Sequence, residues 1–176
     1  MHIGIAGAQS VGKTTLLNVL RSEKRFAHYA ICDEVTRQVK ELGLPINEDG
    51  GDATQRLIMQ QHVINIFMYD SMITDRTALD GIVYTTWLKA RGSISDDTLT
   101  YARQIYERCM PKYDFLFYIP PEFDIKDDGV RSTSTSFRNE IVGLFDGFLE
   151  ELPVEYTTLT GSVIERAQKV IDTVKP

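Results

Sequence analysis

Cysteine is scarce in this chain, with only Cys32 and Cys109 among 176 residues. Two thiols so far apart give neither a disulfide framework nor a zinc-ligand spacing, so the expected setting is reducing and cytoplasmic. Long apolar runs are missing as well. None approaches the roughly 18 residues of a membrane-crossing helix, and the first apolar run passes straight into a glycine loop without the features of a signal peptide. Nor is there a basic excess: 19 Lys and Arg stand against 25 Asp and Glu, a formal net charge of −6. Gripping duplex nucleic acid over a broad face depends on neutralising phosphates, so that class is disfavoured, while a local basic pocket is not. His2, His28 and His62 have no partners at ligand spacing and read as ordinary structural residues. Repeats and low-complexity tracts are absent. What remains is 43% hydrophobic and 25% charged, a globular profile whose length predicts one domain over residues 1–176.

What the chain does have stands at its start. Gly7-Ala8-Gln9-Ser10-Val11-Gly12-Lys13-Thr14, followed by Thr15, fits the G-x-x-x-x-G-K-[ST] pattern of a phosphate-binding loop. The setting is the required one: Ile3, Ile5 and Ala6 form an apolar run of strand length before it, and Leu16, Leu17, Val19 and Leu20 recur at helical spacing after it. Glycines let the backbone fold around an anion, and main-chain N–H groups converge on it at a helix N-terminus. In this pattern Lys13 reaches the β- and γ-phosphates of a nucleotide and Thr14 is a ligand of Mg²⁺.

Further along, strands and helices alternate. Tyr29 to Cys32 reads as a second strand ending on Asp33 and Glu34, with a helix from Glu34 to Leu42 closed by Gly43 and Pro45. Asp52 and Gln55 form a variant capping pair for a helix to about Met68, apolar enough to be largely buried. Ser71 to Asp75 is a third strand, followed by Arg76-Thr77 and helices of about Leu79 to Ala90 and, capped by Ser95 or Asp96, to about Cys109. Asp114 to Ile119 has the near-continuous aromatic and β-branched character of a central parallel strand. A polar loop over about 122–136 precedes a helix from Phe137 to Glu150, a strand within Pro153 to Leu159, and a helix capped by Ser162 that runs to about Val174. Five strands alternating with helices predict an α/β fold, a parallel sheet covered on both faces, with ligands at the carboxyl ends of the strands.

Those strand ends select the candidate site. A GTPase switch needs D-x-x-G and N-K-x-D, and neither occurs here. A ring-forming motor needs a longer domain, which leaves a small kinase. Asp75, ending a strand, suits Mg²⁺, and Arg76 a substrate or a phosphate. Asp33 or Glu34 is the candidate acceptor base, with the other capping the helix behind it. Arg37, one turn on, faces an anionic or polar acceptor, while Arg131 in the polar loop and Arg138 just past it would stabilise transferring charge.

Taken together, GAQSVGKTTL, the D-E-x-x-R at Asp33 to Arg37, the strand-ending Asp75-Arg76 and the D-D-G-V-R-S at Asp127 to Ser132 resemble a known group. The chain is similar to the ribosylnicotinamide kinase domain of the bacterial NAD-biosynthesis regulator, and to the small AAA-like P-loop ATPases and kinases, many from phages, that share its pattern. The resemblance implies a three-layer P-loop kinase fold with a parallel sheet of order 2-3-1-4-5 and a lid after the fourth strand. It implies an ATP- and Mg²⁺-dependent phosphotransferase, with Asp33 or Glu34 near the acceptor, Asp75 near the metal and Arg131 in the lid. The implied acceptor is a nucleoside, nicotinamide riboside or a 5-hydroxymethyl base in phage DNA, and a homodimer is allowed. Two alternatives stay open: a nucleoside monophosphate kinase in which Arg37 and Arg76 clamp the acceptor phosphate, and a binding module that hydrolyses ATP slowly.

Overall fold

The computed structural model describes residues 1–122 and 133–174. Its strands are β1 (His2–Ala6), β2 (Ala30–Cys32), β3 (Met72–Asp75), β4 (Phe115–Tyr118) and β5 (Thr157–Thr158). They pair in parallel in the order β2-β3-β1-β4-β5, the arrangement expected from the resemblance. Helices α1 (Lys13–Ser22), α2 (Val35–Glu41), α3 (Asp52–Met68), α4 (Ala78–Ala90), α5 (Asp96–Cys109), α6 (Thr135–Glu150) and α7 (Val163–Thr173) make the crossovers. α1 packs with α7, while α4 packs with α3, α5 and α6, and the two groups cover the sheet. β1 is central, with Ile3 and Ile5 fully buried, which is why its run is apolar instead of alternating. Its register sets Ile5 beside Asp75 of β3 and Phe117 of β4, so the carboxyl ends of these strands open onto one another.

Glycine in the middle of a central strand ordinarily weakens it, yet Gly4 sits there for a steric reason. A Cβ at this position would lie 2.6 Å from Thr77 Cγ2 and 2.9 Å from Tyr113 Cδ1. Thr77 caps α4, so the sheet and the start of α4 approach as closely as they do only because residue 4 has no side chain. Gly4→Ala should cost about 1–3 kcal/mol through overpacking, read as a lowered denaturant midpoint with an unchanged slope.

Several expectations need correction. The last strand is confined to two residues, Thr157–Thr158, instead of extending over Pro153 to Leu159, because β5 is an edge strand that pairs only with the end of β4. α3 is not largely buried: Phe67 and Met68 are 70% and 67% exposed, and its inner face mixes Ile58, Met59 and Ile66 with Gln55, His62 and Asn65. Asp52 does not cap α3 with Gln55. Its carboxylate accepts from the Ser95 N–H at 2.9 Å and from Ser95 Oγ at 3.1 Å, tying α3 to the start of α5. α6 begins two residues earlier than expected, at Thr135, with Ser134 as the cap accepting from Phe137 N–H.

Candidate nucleotide and acceptor site

The loop between β1 and α1 is built around positive φ. Gly7 lies at φ +145°, and a Cβ there would meet the Ile119 carbonyl oxygen at 2.6 Å, so no other residue fits. α1 opens on Gly12, with no side-chain cap and no acid in its first turn. α4, α5, α6 and α7, by contrast, have Thr77, Ser95, Ser134 and Ser162 accepting from their first N–H groups. With no side chain capping it, the positive end of the α1 dipole is available to an anion. The Lys13 ammonium is buried and donates to the carbonyls of Gly7 and Ala8 at 2.7 Å each. Desolvation, then the charge of Arg76, lower it from its ordinary 10.5 to about 8.

Beneath the loop lies a buried electrostatic cluster in which Glu34, Asp75 and Asp80 stand against Lys13 and Arg76. Thr14 Oγ1 donates to Asp75 Oδ2 at 2.5 Å, while Asp75 Oδ1 is buried with no hydrogen-bond partner among the described residues. Burial raises the Asp75 carboxyl above the usual carboxylate range, and the neighbouring Glu34 charge adds to this. An orphaned oxygen beside a threonine hydroxyl, in a cluster with one acid in excess, suits a small divalent cation. No group of three or more His, Cys, Asp or Glu gathers at one point among the described residues. Mg²⁺ does not require one, because it takes one or two carboxylates and fills its remaining positions with water and phosphate.

Arg76 holds the cluster together. It adopts φ +78°, a strained value for a non-glycine residue, and its carbonyl accepts from Thr74 Oγ1 at 2.9 Å. Its Nε donates to Glu34 Oε1 at 2.6 Å, a second nitrogen lies 3.7 Å from Asp80, and the guanidinium sits 5.0 Å from the centre of the Tyr84 ring. Asp80 was missed by sequence reasoning. Its carboxylate accepts from the Gly7 N–H at 3.2 Å and from the Thr77 N–H at 2.9 Å, so one side chain closes the α4 capping box and fastens the phosphate loop. The signal was the T-x-x-D pattern at Thr77 to Asp80, directly after the strand-ending Asp75-Arg76.

The remaining candidates fall differently. Of the two acids after β2, Glu34 is 4% exposed and faces the cluster. Asp33 lies at the surface in an ion pair with Arg21 at 2.6 Å and does not cap α2. Gln9 accepts from the Tyr84 hydroxyl at 2.8 Å, linking the loop to α4. Arg37 is half-buried on α2, and Arg138 is buried on the first turn of α6. Arg131 and most of the lid lie outside the described residues. Arg166 on α7 and Glu122 after β4 were also missed: Arg166 donates to the Val11 carbonyl at 2.8 Å and to Glu122 at 2.6 Å, bracing the outer side of the loop. No local motif points to either residue, since their pairing depends on α7 packing against α1.

Beside the cluster, α2, α3 and α4 line a small cleft. Thr36, Asn47, Gln55, His62, Arg76 and Tyr84 are among its lining residues.

A family model for the AAA domain matches residues 2–166. The chain belongs to that family. No curated protein matches it. Among solved structures, the AAA chain is similar to the NadR protein in complex with NR, at 19% identity and a TM-score of 0.73, covering 97% of this chain and 49% of that one. It is also similar to deoxyadenosine kinase from M. mycoides with products dCMP and a flexible dCDP bound, at 14% identity and a TM-score of 0.71, covering 98% and 97%. A third is the YorR protein from Bacillus subtilis in complex with phosphorylated GDP, at 14% identity, a TM-score of 0.60, and coverage of 98% and 94%. The AAA chain thus spans about half the length of the NadR chain and nearly all of the deoxyadenosine kinase. At these identities the likeness is one of fold, the five-stranded P-loop kinase fold. No helix among the described residues is long and apolar enough to cross a membrane.

Proposed function

We propose that the protein is a kinase that moves the γ-phosphoryl group of ATP onto a hydroxyl of a nucleoside-like acceptor. The observation that carries this reading is the buried cluster of Lys13, Glu34, Asp75, Arg76 and Asp80 between the uncapped phosphate loop and the polar cleft. Phosphoryl transfer is mostly positioning and charge stabilisation, and each part has a candidate here. The loop N–H groups receive the phosphates, and Lys13 exchanges the Gly7 and Ala8 carbonyls for phosphate oxygens. Thr14 and Asp75 would hold Mg²⁺, which when bound neutralises phosphate charge. Glu34, held in place by the Arg76 guanidinium, orients the acceptor hydroxyl and takes its proton. Arg76, fixed between Glu34 and Asp80, keeps one face toward the cleft for the acceptor or the transferred group.

The test is incubation with γ-labelled ATP and Mg²⁺ against nucleosides, nucleoside monophosphates, nicotinamide riboside and DNA containing 5-hydroxymethyluracil. Label should move to a hydroxyl of a nucleoside-like acceptor. Label found only as free phosphate throughout would overturn the proposal in favour of a slow ATPase module. In the same assay, Asp75→Asn should raise the Mg²⁺ concentration for half-maximal rate by about 10- to 100-fold, because the orphaned oxygen loses its charge.

A further inference from the structure

α3 turns Gln55 and His62 toward the cleft, seven residues and so about two turns apart on one face. Both are 3% exposed. The single proton of the Thr85 hydroxyl is shared between the Gly81 carbonyl at 2.7 Å and the Gln55 side-chain oxygen at 3.1 Å, and the amide nitrogen is the donor that Gln55 offers. His62 is the anomaly. Neither of its ring nitrogens has a hydrogen-bond partner among the described residues, although both are buried. Buried polar atoms are almost always paired, and an imidazole with both nitrogens unanswered on the wall of a cleft is placed to pair with a ligand. Desolvation, and then the charge of Arg76, push this imidazole down to about 4, so near neutral pH it presents one donor and one acceptor and no charge. Ile58 and Gly81 add an apolar surface beside it. Among the described residues lining the cleft the only Lys or Arg is Arg76, which Glu34 already grips, so no further cation waits there for an acceptor phosphate.

We propose that His62, with the Gln55 amide two turns earlier on α3, reads the polar edge of an uncharged, planar nitrogen heterocycle carried by the acceptor, and so sets which acceptors are used. This inference rests on the kinase reading above and narrows its acceptor. The neutral imidazole complements a ring edge that carries both a donor and an acceptor. Among the described residues that line the cleft a monophosphate would find no uncommitted cation, and a cationic pyridinium would gain nothing from a neutral partner. His62 is then a specificity-determining residue that leaves the reacting phosphates untouched.

The experiment compares the full chain with its His62→Leu and His62→Gln variants, using Mg-ATP and a panel of four uncharged nucleosides, a nucleoside monophosphate and nicotinamide riboside. An uncharged nucleoside should be the best acceptor. His62→Leu should raise its KM about tenfold, the equivalent of one lost hydrogen bond, with kcat and the KM for ATP held within about twofold. The same variant should melt no lower than wild type without ligand, because it removes a buried polar group that has no partner. His62→Gln, which keeps a donor and an acceptor, should retain an acceptor KM within about threefold of wild type or change the preferred base.

An unchanged acceptor KM in His62→Leu would overturn the inference, as would a lowered melting temperature or failure to fold, since these mark a structural histidine. Best use of the monophosphate or of nicotinamide riboside would overturn it too. Failure of the kinase reading looks different: no labelled acceptor with wild type, while uncharged nucleosides still raise its melting temperature in a manner lost in His62→Leu. That result would leave the recognition role of His62 standing.

Discussion

Lys13→Met should reduce kcat/KM for ATP by at least about a hundredfold, because it deletes the buried ammonium that lies against the phosphate loop, a water-poor site where such a charge counts most. The loop itself should survive the change. Its curvature comes from Gly7 and Gly12, the Asp80 carboxylate holds the Gly7 N–H, and Arg166 holds the Val11 carbonyl. Titration separates loss of this charge from general damage. Without nucleotide the Lys13 ammonium is lowered to about 8 from 10.5, since burial and Arg76 outweigh the attraction of Asp80, Asp75 and Glu34. Between those two values the unfolded chain holds a proton that the folded chain has lost, so stability rises with pH across that window. Thermal melts of the free protein from pH 8 to 10.5 should show this rise, and Lys13→Met should lack it. Nucleotide binding has the opposite sign. The triphosphate favours the charged lysine, so affinity should fall as pH passes above about 8, with proton uptake on binding. Calorimetry in two buffers of different ionisation enthalpy measures that uptake directly.

How much of this site is readable from the sequence depends on the range of the interactions that build it. The phosphate loop is local: one strand, two glycines and one helix start, all within Ile3 to Leu20, so its chemistry is legible from spacing alone. Asp75 and Arg76 are legible because an acid at the end of a parallel strand opens onto the ligand side. Spacing does not separate Asp33 from Glu34, since adjacent residues after a short strand point different ways. Arg76 makes that choice, 42 positions from Glu34, with a left-handed backbone that turns the guanidinium onto it. Asp80 escapes notice although its capping pattern is visible, because its second role, on the Gly7 N–H, appears only when β1 and α4 meet across Gly4. His62 reads as structural for lack of ligand-spaced partners. It is indeed buried, but only the surrounding helices reveal that its nitrogens are unpaired. The short β5 follows from its place at a sheet edge and the mixed inner face of α3 from the cleft it lines, and neither is encoded in apolar periodicity.

Breaking the Glu34–Arg76 pair should cost more stability than any other single substitution in the buried cluster. Each partner is at least 93% buried in its side chain, and the bond between them is 2.6 Å. Glu34→Ala leaves a buried guanidinium with Asp80 at 3.7 Å as its nearest remaining carboxylate and Tyr84 against its face. Removing one member of such a pair costs about 3 to 5 kcal/mol, which in a chain of this length corresponds to about 6–20 °C in melting temperature. Arg76→Ala should cost a similar amount and more in function, because the buried carboxylates of Glu34 and Asp80 would both lose the guanidinium beside them. Glu34→Gln distinguishes structure from chemistry. The amide oxygen still accepts from Arg76 Nε, so most of the fold stability should remain, while the proton acceptor is lost and kcat should fall by about 10²- to 10⁴-fold. If Glu34→Gln instead melts like Glu34→Ala and transfers phosphoryl groups at the wild-type rate at low temperature, Glu34 is only a counter-ion for Arg76 and the acceptor proton leaves by another route. If it keeps its melting temperature and loses its rate, the buried pair that joins β3 to the start of α2 also holds the base against the acceptor, and one contact serves both stability and turnover.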